Sequence, residues 1–339
     1  MSYQLIYTED ELMSEHSGLA PHVILGQRVH GGFHADGRYQ PPRSLGREQA
    51  LEAWAAALVD RGGEVFPADS SLLTGIRLPN ADQQKVLLRN GLCRWFWNGL
   101  TITGKIEARG RLLAEIPFPG LQPVIVEDIS EMAIGHLGKG LLVAHGLDEG
   151  GTPDDGVAGH DVMWFAARDL AFGAGAHDDV DPPDNIARPE AGQRFMPELP
   201  ENVEGLVSLL TNLLIIEFRA ELGFAETQEI LRTADLFADR RDEAEEAAEI
   251  VERIRTDEEI HVRSLCIYLG ELCSVTFRTT DGGTVGGRQL IERFWDGLVE
   301  WATVDQPVLN AERVRPELEA YIATHPDASR VQAQFDSAA

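Results

Sequence analysis

The sequence predicts a mainly α-helical protein, and three features carry that prediction. In residues 203–237 and again in about 241–272, apolar side chains recur at the three- and four-residue spacing of an α-helix. The short polar turn ADRRDE joins these two segments, so the helices should pack antiparallel. Shorter stretches with the same spacing end at glycines, as in EQALEAWAAALVDRGG and HDVMWFAARDLAFG.

The N-terminal 120 residues are expected to combine loops, a short strand pair and two helices. Residues 1–45 mix short apolar runs with turn formers such as HGGFHADGRYQPP. Two helices are expected in residues 46–100, the second of them interrupted at Gly91 within DQQKVLLRNGLCRWFWNGL. The next stretch, GKIEARGRLLAEIPFPGLQPVIV, contains prolines and glycines and reads as an irregular connection.

Two further helices are expected before the long periodic segments. Residues 127–147 place acids in the first turn, where they favour the helix dipole, and run into the glycine-rich break DEGGTPDDG. The segment HDVMWFAARDLAFG offers Asp161 as an N-cap and Gly173 as its end. Residues 174–202, rich in Pro, Asp and Gly, should cross between two helical pairs. Residues 276–339 should form a turn or small hairpin followed by terminal helices.

Charge and motif content exclude several classes of protein. With 29 basic and 56 acidic residues, the formal charge of -27 would repel a phosphate backbone, so nucleic acid is not an expected partner. No basic and apolar leader is visible, and the run LVSLLTNLLII is too short to cross a bilayer, so no membrane association is expected. Three cysteines without a CxxC motif fit a reducing, cytoplasmic location. Neither a GxSxG elbow, a Walker motif nor HExxH occurs.

Three polar side chains interrupt the apolar faces of the two long helices. Glu217 stands on a face that is otherwise apolar, within LLIIEF. Glu258 and His261 lie one turn apart on the inward face of the next helix. A carboxylate buried without a partner costs several kcal/mol, so these groups must reach solvent, bind a partner, take a proton or ligate a metal. Incidental spacing on a surface helix is the alternative for the Glu-x-x-His pair.

An inward Glu on one helix followed by Glu-x-x-His on the next resembles half of the site of the ferritin-like di-iron carboxylate superfamily. The resemblance implies a ferritin-like four-helix bundle over residues 121–275. An N-terminal extension, 1–120, would pack on that bundle, and a C-terminal turn with helices, 276–339, would follow. The resemblance further implies that Glu217, Glu258 and His261 are ligands of two iron ions, with a single ion or manganese as alternatives.

The first half of the predicted bundle departs from the family pattern, because no Glu-x-x-His occurs in residues 120–180. Glu131 is the carboxylate candidate of its first helix, although a first-turn acid interacting with the dipole is an equal reading. His136 would share its face only if a π-bulge distorts the helix. Asp169 is the carboxylate candidate of the second helix, with an ion pair to an arginine as the alternative. His160 and His177 flank that helix as candidate nitrogen ligands.

These expectations describe an oxidoreductase that uses dioxygen or peroxide at a di-iron site to oxidise a small organic substrate. A non-enzymatic ferritin-like scaffold with a degenerate metal site is the alternative from another class. Iron binding or storage is a third reading, which the extra N-terminal residues disfavour because storage ferritins are short bundles. The expected partner is an unknown small molecule, and a homodimer is the assembly considered.

Overall fold

Helices make up most of the chain in its computed structural model, as the sequence predicts. The structure describes residues 4–75, 77–184, 186–188 and 192–339. The helices before residue 200 are α1 Glu9–Leu12, α2 Ser44–Asp60, α3 Ala81–Arg89, α4 Arg94–Gly110, α5 Leu142–Gly150 and α6 His160–Phe172. The later ones are α7 Glu201–Arg232, α8 Arg241–Ser274, α9 Gly287–Glu300, α10 Gln306–Ile322 and α11 Ala328–Ser337.

The predicted N-terminal strand pair is confirmed and forms a small antiparallel sheet in the order β1-β2-β3. Its strands are β1 Ala20–Ile24, β2 Gln27–Phe33 and β3 Tyr39–Gln40. β2 also runs beside the segment before α6, where the His30 amide donates a hydrogen bond to the Ala158 carbonyl at 2.9 Å. The sheet therefore lies against the start of α6. Residues 1–3 of the predicted N-terminal segment are outside the described residues.

Helix α4 is longer than its sequence predicts and belongs to the helical core. Its last turns lie in the stretch predicted to be an irregular connection, which is therefore a correction. Gly104 allows this packing, because a Cβ there would lie 2.7 Å from the Phe165 ring of α6. Tertiary packing thus outweighs the low helix propensity of glycine. The predicted boundary between the N-terminal extension and the bundle, at residue 120, therefore separates α4 in sequence from α5 and α6, the helices on which it packs.

Helices α5 and α6 run antiparallel to α4 as two parts of one interrupted helix. Gly146 of α5 packs on Ala114 just beyond α4, and Glu149 packs on Gly110 at its end. After the break, the Arg168 side chain of α6 donates a hydrogen bond to Oγ1 of Thr101 at 3.2 Å. Successive residues of α5 and α6 thus contact α4 progressively closer to its N-terminus. The break between α5 and α6 lies beside the last turn of α4.

The helix predicted over residues 127–147 is largely wrong, because α5 begins only at Leu142. Residues 133–135 form a single 3₁₀ turn, and Leu137–Leu141 form a π-type turn. Gly140 in that turn has φ 108°, a backbone angle that residues with a side chain rarely adopt. A Cβ at Gly135 would lie 2.1 Å from the Ile129 carbonyl, so the backbone closes on itself there. The glycines act here as helix breakers.

The two long helices α7 and α8 pack antiparallel, as predicted. Arg232 at the end of α7 pairs with Glu245 near the start of α8, with Nε and Oε1 3.0 Å apart. One turn earlier on α7, the Gln228 side chain donates a hydrogen bond to Glu252, about two turns after Glu245 on α8. α6 packs against α8, so α4, α5, α6, α7 and α8 form one contiguous group of helices.

The crossing segment and the C-terminal region also follow the prediction in outline. The described residues of 174–202 before α7 hold no helix, and residues 185 and 189–191 of that segment are outside the described part. A hairpin of β4 Thr276–Arg278 and β5 Thr284–Gly286 precedes the terminal helices. α11 is a further helix that the sequence patterns did not predict. Across the described chain, every helix is too short or too polar to traverse a lipid bilayer.

Glu271 near the end of α8 fixes the segment that leads into α5. Its carboxylate accepts a hydrogen bond from the Ile134 amide at 3.0 Å and lies 3.3 Å from Nη2 of Arg61. Burial raises the pKa of Glu271 to about 7, against the opposing effects of those partners. Because folding raises this pKa, the contribution of Glu271 to stability is fully present at low pH and is lost as the pH rises through about 7.

We therefore expect Glu271→Gln to be more stable, relative to the wild type, at about pH 8 than at about pH 5. The glutamine keeps an acceptor for the Ile134 amide but cannot ionise. The gain should be on the order of 2 kcal/mol, measured by urea unfolding at both pH values. A stability difference between variant and wild type that stays constant with pH would contradict this assignment.

Candidate metal centre

The structure brings together the three residues predicted from the long helices. Glu217, Glu258 and His261 are 4%, 3% and 1% exposed, so all three are inside the protein. Nδ1 of His261 lies 2.6 Å from a carboxylate oxygen of Glu258. Helical spacing places them there, because α7 and α8 each turn their apolar face inward and these three are among the polar positions on those faces.

These residues belong to two overlapping groups of buried histidine and glutamate side chains. Within each group, the candidate ligand atoms all lie within 4.8 Å of one another. One group consists of His145, Glu149, Glu217 and His261, and the other of Glu107, Glu149, His160 and Glu258. Glu149 belongs to both, so the seven residues form one cluster, called the carboxylate cluster below.

The first half of the chain supplies its share of the carboxylate cluster from three helices. Glu107 lies in the last turn of α4. His145 and Glu149, four residues apart, share one face of α5, and His160 is the first residue of α6. The interruption between α5 and α6 thus lets two successive segments each present a histidine to the same place.

Three of these residues were not predicted from the sequence. Glu107 was assigned to an irregular connection, and Glu149 to the glycine-rich break after a helix. His145 was assigned to that helix without a role. One signal was present: His145 lies within the apolar segment LLVAHGL, and Glu149 follows it one helical turn later on the same face.

Of the predicted first-half residues, His160 is in the carboxylate cluster, whereas His177 lies against the Trp97 ring and outside the cluster. Three further candidates also lie outside it. Glu131 lies exposed in a turn, because the helix predicted to carry it does not form. His136 is buried, but its Nε2 accepts from the Tyr7 amide at 3.1 Å and its Nδ1 contacts the Met132 carbonyl at 2.7 Å. Asp169 pairs with Arg168 at 2.8 Å. These three positions are corrected to structural or surface roles.

The imidazoles of the carboxylate cluster face carboxylate oxygens at close range. Nε2 of His145 is 3.1 Å from Oε1 of Glu217 and 3.5 Å from Glu149. Nδ1 of His160 is 3.2 Å from Glu258, 3.5 Å from Glu107 and 3.6 Å from Glu149. Among the described residues, neither nitrogen has a partner in hydrogen-bonding geometry. The two atoms point into the cluster without a hydrogen bond that would explain their placement.

The outer nitrogen of His261 is held by a buried ion-pair network. Its Nε2 lies 3.1 Å from Oδ2 of Asp148. The same carboxylate accepts from Nε of Arg43 at 2.9 Å and from Nη2 of Arg47 at 2.6 Å. These two guanidinium groups offset the burial of Asp148 and hold the pKa of its carboxyl well below the usual range. The ionised Asp148 can therefore accept a hydrogen bond from Nε2–H of His261, which leaves Nδ1 facing the cluster.

His160 has a corresponding outer carboxylate, Asp257. Nε2 of His160 lies 3.1 Å from Oδ2 of Asp257. The Tyr39 hydroxyl donates to that oxygen at 3.0 Å, and Nε2 of His30 lies 3.2 Å from it. Burial works against ionisation of Asp257, yet His160 and His30 keep the pKa of its carboxyl below the ordinary value. The N-terminal sheet thus supplies the groups that position His160.

The pKa pattern of the carboxylate cluster shows how its charge is balanced. Burial and repulsion from Glu149 raise the pKa of Glu107 well above its ordinary value. Burial and repulsion from Glu258 raise the pKa of Glu217 to about 7. Burial would also raise the pKa of Glu149, but the attraction of three neighbouring histidines holds it well below the usual range. Burial disfavours protonation of those histidines, yet neighbouring carboxylates raise their pKa values. Protons on the groups with raised pKa values therefore offset the negative charge of the remaining carboxylates.

The donor set fits divalent metal ions. Ligand atoms that lie about 2.1 Å from one ion are at most about 4.2 Å apart, so the two groups are near the required spacing. Four carboxylates together carry the charge that two divalent cations would neutralise. Carboxylate oxygens with imidazole nitrogens suit iron and manganese, and the cysteine that would favour softer metals is not part of either group.

Comparison with models of known protein families, with curated proteins and with solved structures finds no match to this chain. Its function must therefore be argued from the carboxylate cluster and its surroundings.

Proposed function

We propose that this protein is a ferritin-like di-iron oxidoreductase that uses dioxygen or peroxide to oxidise a small organic substrate. The observation that carries the proposal is the carboxylate cluster, in which two ligand groups share Glu149 inside the helical core. The resemblance to the ferritin-like superfamily supports the choice of iron. In that assignment, α4, the interrupted α5 and α6, α7 and α8 are the four arms of the bundle.

The arrangement of side chains supports the family assignment with one local departure. Glu107 and Glu217 take the places of the two single carboxylates, and Glu258 with His261 is one Glu-x-x-His motif. On the remaining arm, His145 precedes Glu149 by four residues instead of following it by three. His160 from the next segment adds a further nitrogen, so the interrupted arm still supplies histidine and glutamate together.

Iron bound by these residues would supply one-electron redox steps and a place for dioxygen or peroxide. The chain itself does the rest. Asp148 and Asp257 orient His261 and His160 by accepting hydrogen bonds from their outer N–H groups. The low exposure of every cluster residue excludes bulk water from reactive species. A cavity of about 710 Å³ reaches Glu107 and gives a small molecule access to the cluster.

Anaerobic reconstitution with ferrous iron tests this proposal. Protein purified without chelator should take up about two irons per chain, and a near-ultraviolet charge-transfer band should appear on exposure to air. Glu217→Ala should lower the iron content, whereas Glu221→Ala, one turn along α7 and outside both groups, should not. Binding of less than one iron per chain that Glu217→Ala leaves unchanged would overturn the proposal in favour of a non-enzymatic scaffold.

Iron storage is distinguished by the amount of iron that the protein takes up. A storage protein would continue to accept iron through repeated aerobic additions, while a di-iron oxidoreductase would stop at about two per chain. The cavity beside Glu107 favours the oxidoreductase, because storage needs no pocket for an organic molecule.

A further inference from the structure

The cavity of about 710 Å³ lies between α4 and α7 and continues to the carboxylate cluster. Phe96, Leu100 and Ile106 line it from α4, and Phe224 lines it from α7. Glu107, a member of the cluster, forms part of the same wall. The space has the size and the mostly apolar lining typical of small-molecule sites. A molecule with an apolar body can therefore lie against residues adjacent to the metal ligands.

The charged groups of this cavity are mostly cationic, although the chain as a whole carries a formal charge of -27. Among the described residues that line it, three are arginines, Arg77, Arg219 and Arg313, and one is a carboxylate, Glu107. Arg77 is exposed and already paired with Glu226 at 3.0 Å. Arg313 is exposed at the surface. Arg219 remains as the half-buried cation of the cavity wall.

Arg219 has no carboxylate partner among the residues that the structure describes. Its Nη1 donates to the Ile186 carbonyl at 3.2 Å, and its guanidinium stacks over the Trp301 ring, 5.0 Å from the centroid. Its Nε and Nη2 are shielded from solvent and form no hydrogen bond within the described chain. Burial lowers the pKa of Arg219 to about 10, so the group still carries its charge at neutral pH. Nε and Nη2 lie along one edge of the guanidinium, so both would donate to a planar anion once a small shift of neighbouring side chains exposes them.

We propose that the substrate is an amphipathic organic anion whose carboxylate, or a similar anionic head, pairs with Arg219 while its apolar body fills the cavity towards Glu107. The inference rests on the proposed function, because it takes the Glu107 end of the cavity as the reacting end. A guanidinium matches a carboxylate with two parallel hydrogen bonds, which a neutral amide cannot replace. Trp301 holds the guanidinium in place and adds apolar surface beside the head group.

Binding of matched charged and neutral probes tests the inference. Phenylacetate and phenylacetamide have nearly the same shape, and octanoate and octanamide form an aliphatic pair. In the iron-loaded full-length protein under anaerobic conditions, calorimetry should show at least one acid bound about tenfold or more tightly than its amide. Arg219→Met should abolish that preference, Arg219→Lys should restore part of it, and Arg77→Met should leave it intact.

Iron content measured on the same samples separates the two proposals. Arg219→Met should keep its iron, because Arg219 is in neither ligand group. Equal affinity for acid and amide in both pairs, in protein that holds about two irons, would overturn the anion site and leave the proposed function standing. A preference for the acid that depends on Arg219, in protein that binds no iron, would overturn the di-iron function alone. If Arg219→Met still binds the acid more tightly than the amide, Arg219 is not the group that binds the anion.

Discussion

Glu149→Gln should reduce the iron content of the reconstituted protein from about two ions per chain to less than one. The reason is the shared position of Glu149, which contributes an oxygen to both ligand groups of the carboxylate cluster. The glutamine keeps the shape of the side chain but offers one oxygen and no charge. Both metal positions therefore lose a ligand in a single substitution, and elemental analysis after anaerobic reconstitution measures the loss.

Two single-group variants provide the comparison for Glu149→Gln. Glu107→Gln and Glu217→Gln each remove a carboxylate from one group only, so each should retain about one iron. The predicted order is therefore a larger loss for Glu149→Gln than for either comparison variant. If Glu149→Gln keeps as much iron as Glu107→Gln and Glu217→Gln do, the bridging role of Glu149 is wrong.

Asp148→Ala should lower the free energy of unfolding of the metal-free protein by about 3–5 kcal/mol. Asp148 is 1% exposed, and its carboxylate holds Arg43 and Arg47, which are 5% and 2% exposed. The substitution leaves both guanidinium groups buried without their anion, which is far more costly than loss of a surface pair. The shift of the urea midpoint, converted with the measured slope, gives the magnitude.

Asp235→Ala is the matched control for Asp148→Ala. It also removes an aspartate from an arginine pair, that with Arg89 at 2.6 Å, but both of these side chains are largely solvent-exposed. Exposed pairs contribute about 0–1 kcal/mol, so this variant should remain close to the wild type. Similar losses for the two variants would contradict a special role for the buried network.

The periodicity of the long helices was sufficient to predict three of the seven residues of the carboxylate cluster. On α7 and α8, the apolar faces extend over many turns, so the polar exceptions Glu217, Glu258 and His261 could be recognised as inward-facing. The mainly helical fold and the antiparallel pairing of these helices were predicted for similar reasons. Each of these features depends on a local pattern that repeats.

The cluster residues on α4, α5 and α6 could not be predicted in the same way, because these helices are short or contain glycines. The last turns of α4 contain Gly104, which indicates a helix break in isolation but provides room for Phe165 in the folded protein. α5 has nine residues and is followed by a break, so Glu149 was assigned to a loop. Which carboxylate completes the cluster is decided by contacts between distant segments, and these leave no periodic signal.

The dispersed origin of the carboxylate cluster would make metal uptake depend on the completion of folding. Five helices contribute to it, and none supplies more than two of its seven residues. Arg43 and Asp148, which support it, are 105 residues apart in the chain. Closing such long loops costs entropy before any ligand is in place, so partly folded chains present at most isolated pairs of donors. A nascent chain would thus capture stray ions only weakly, and selective loading would begin once the last long helix has docked.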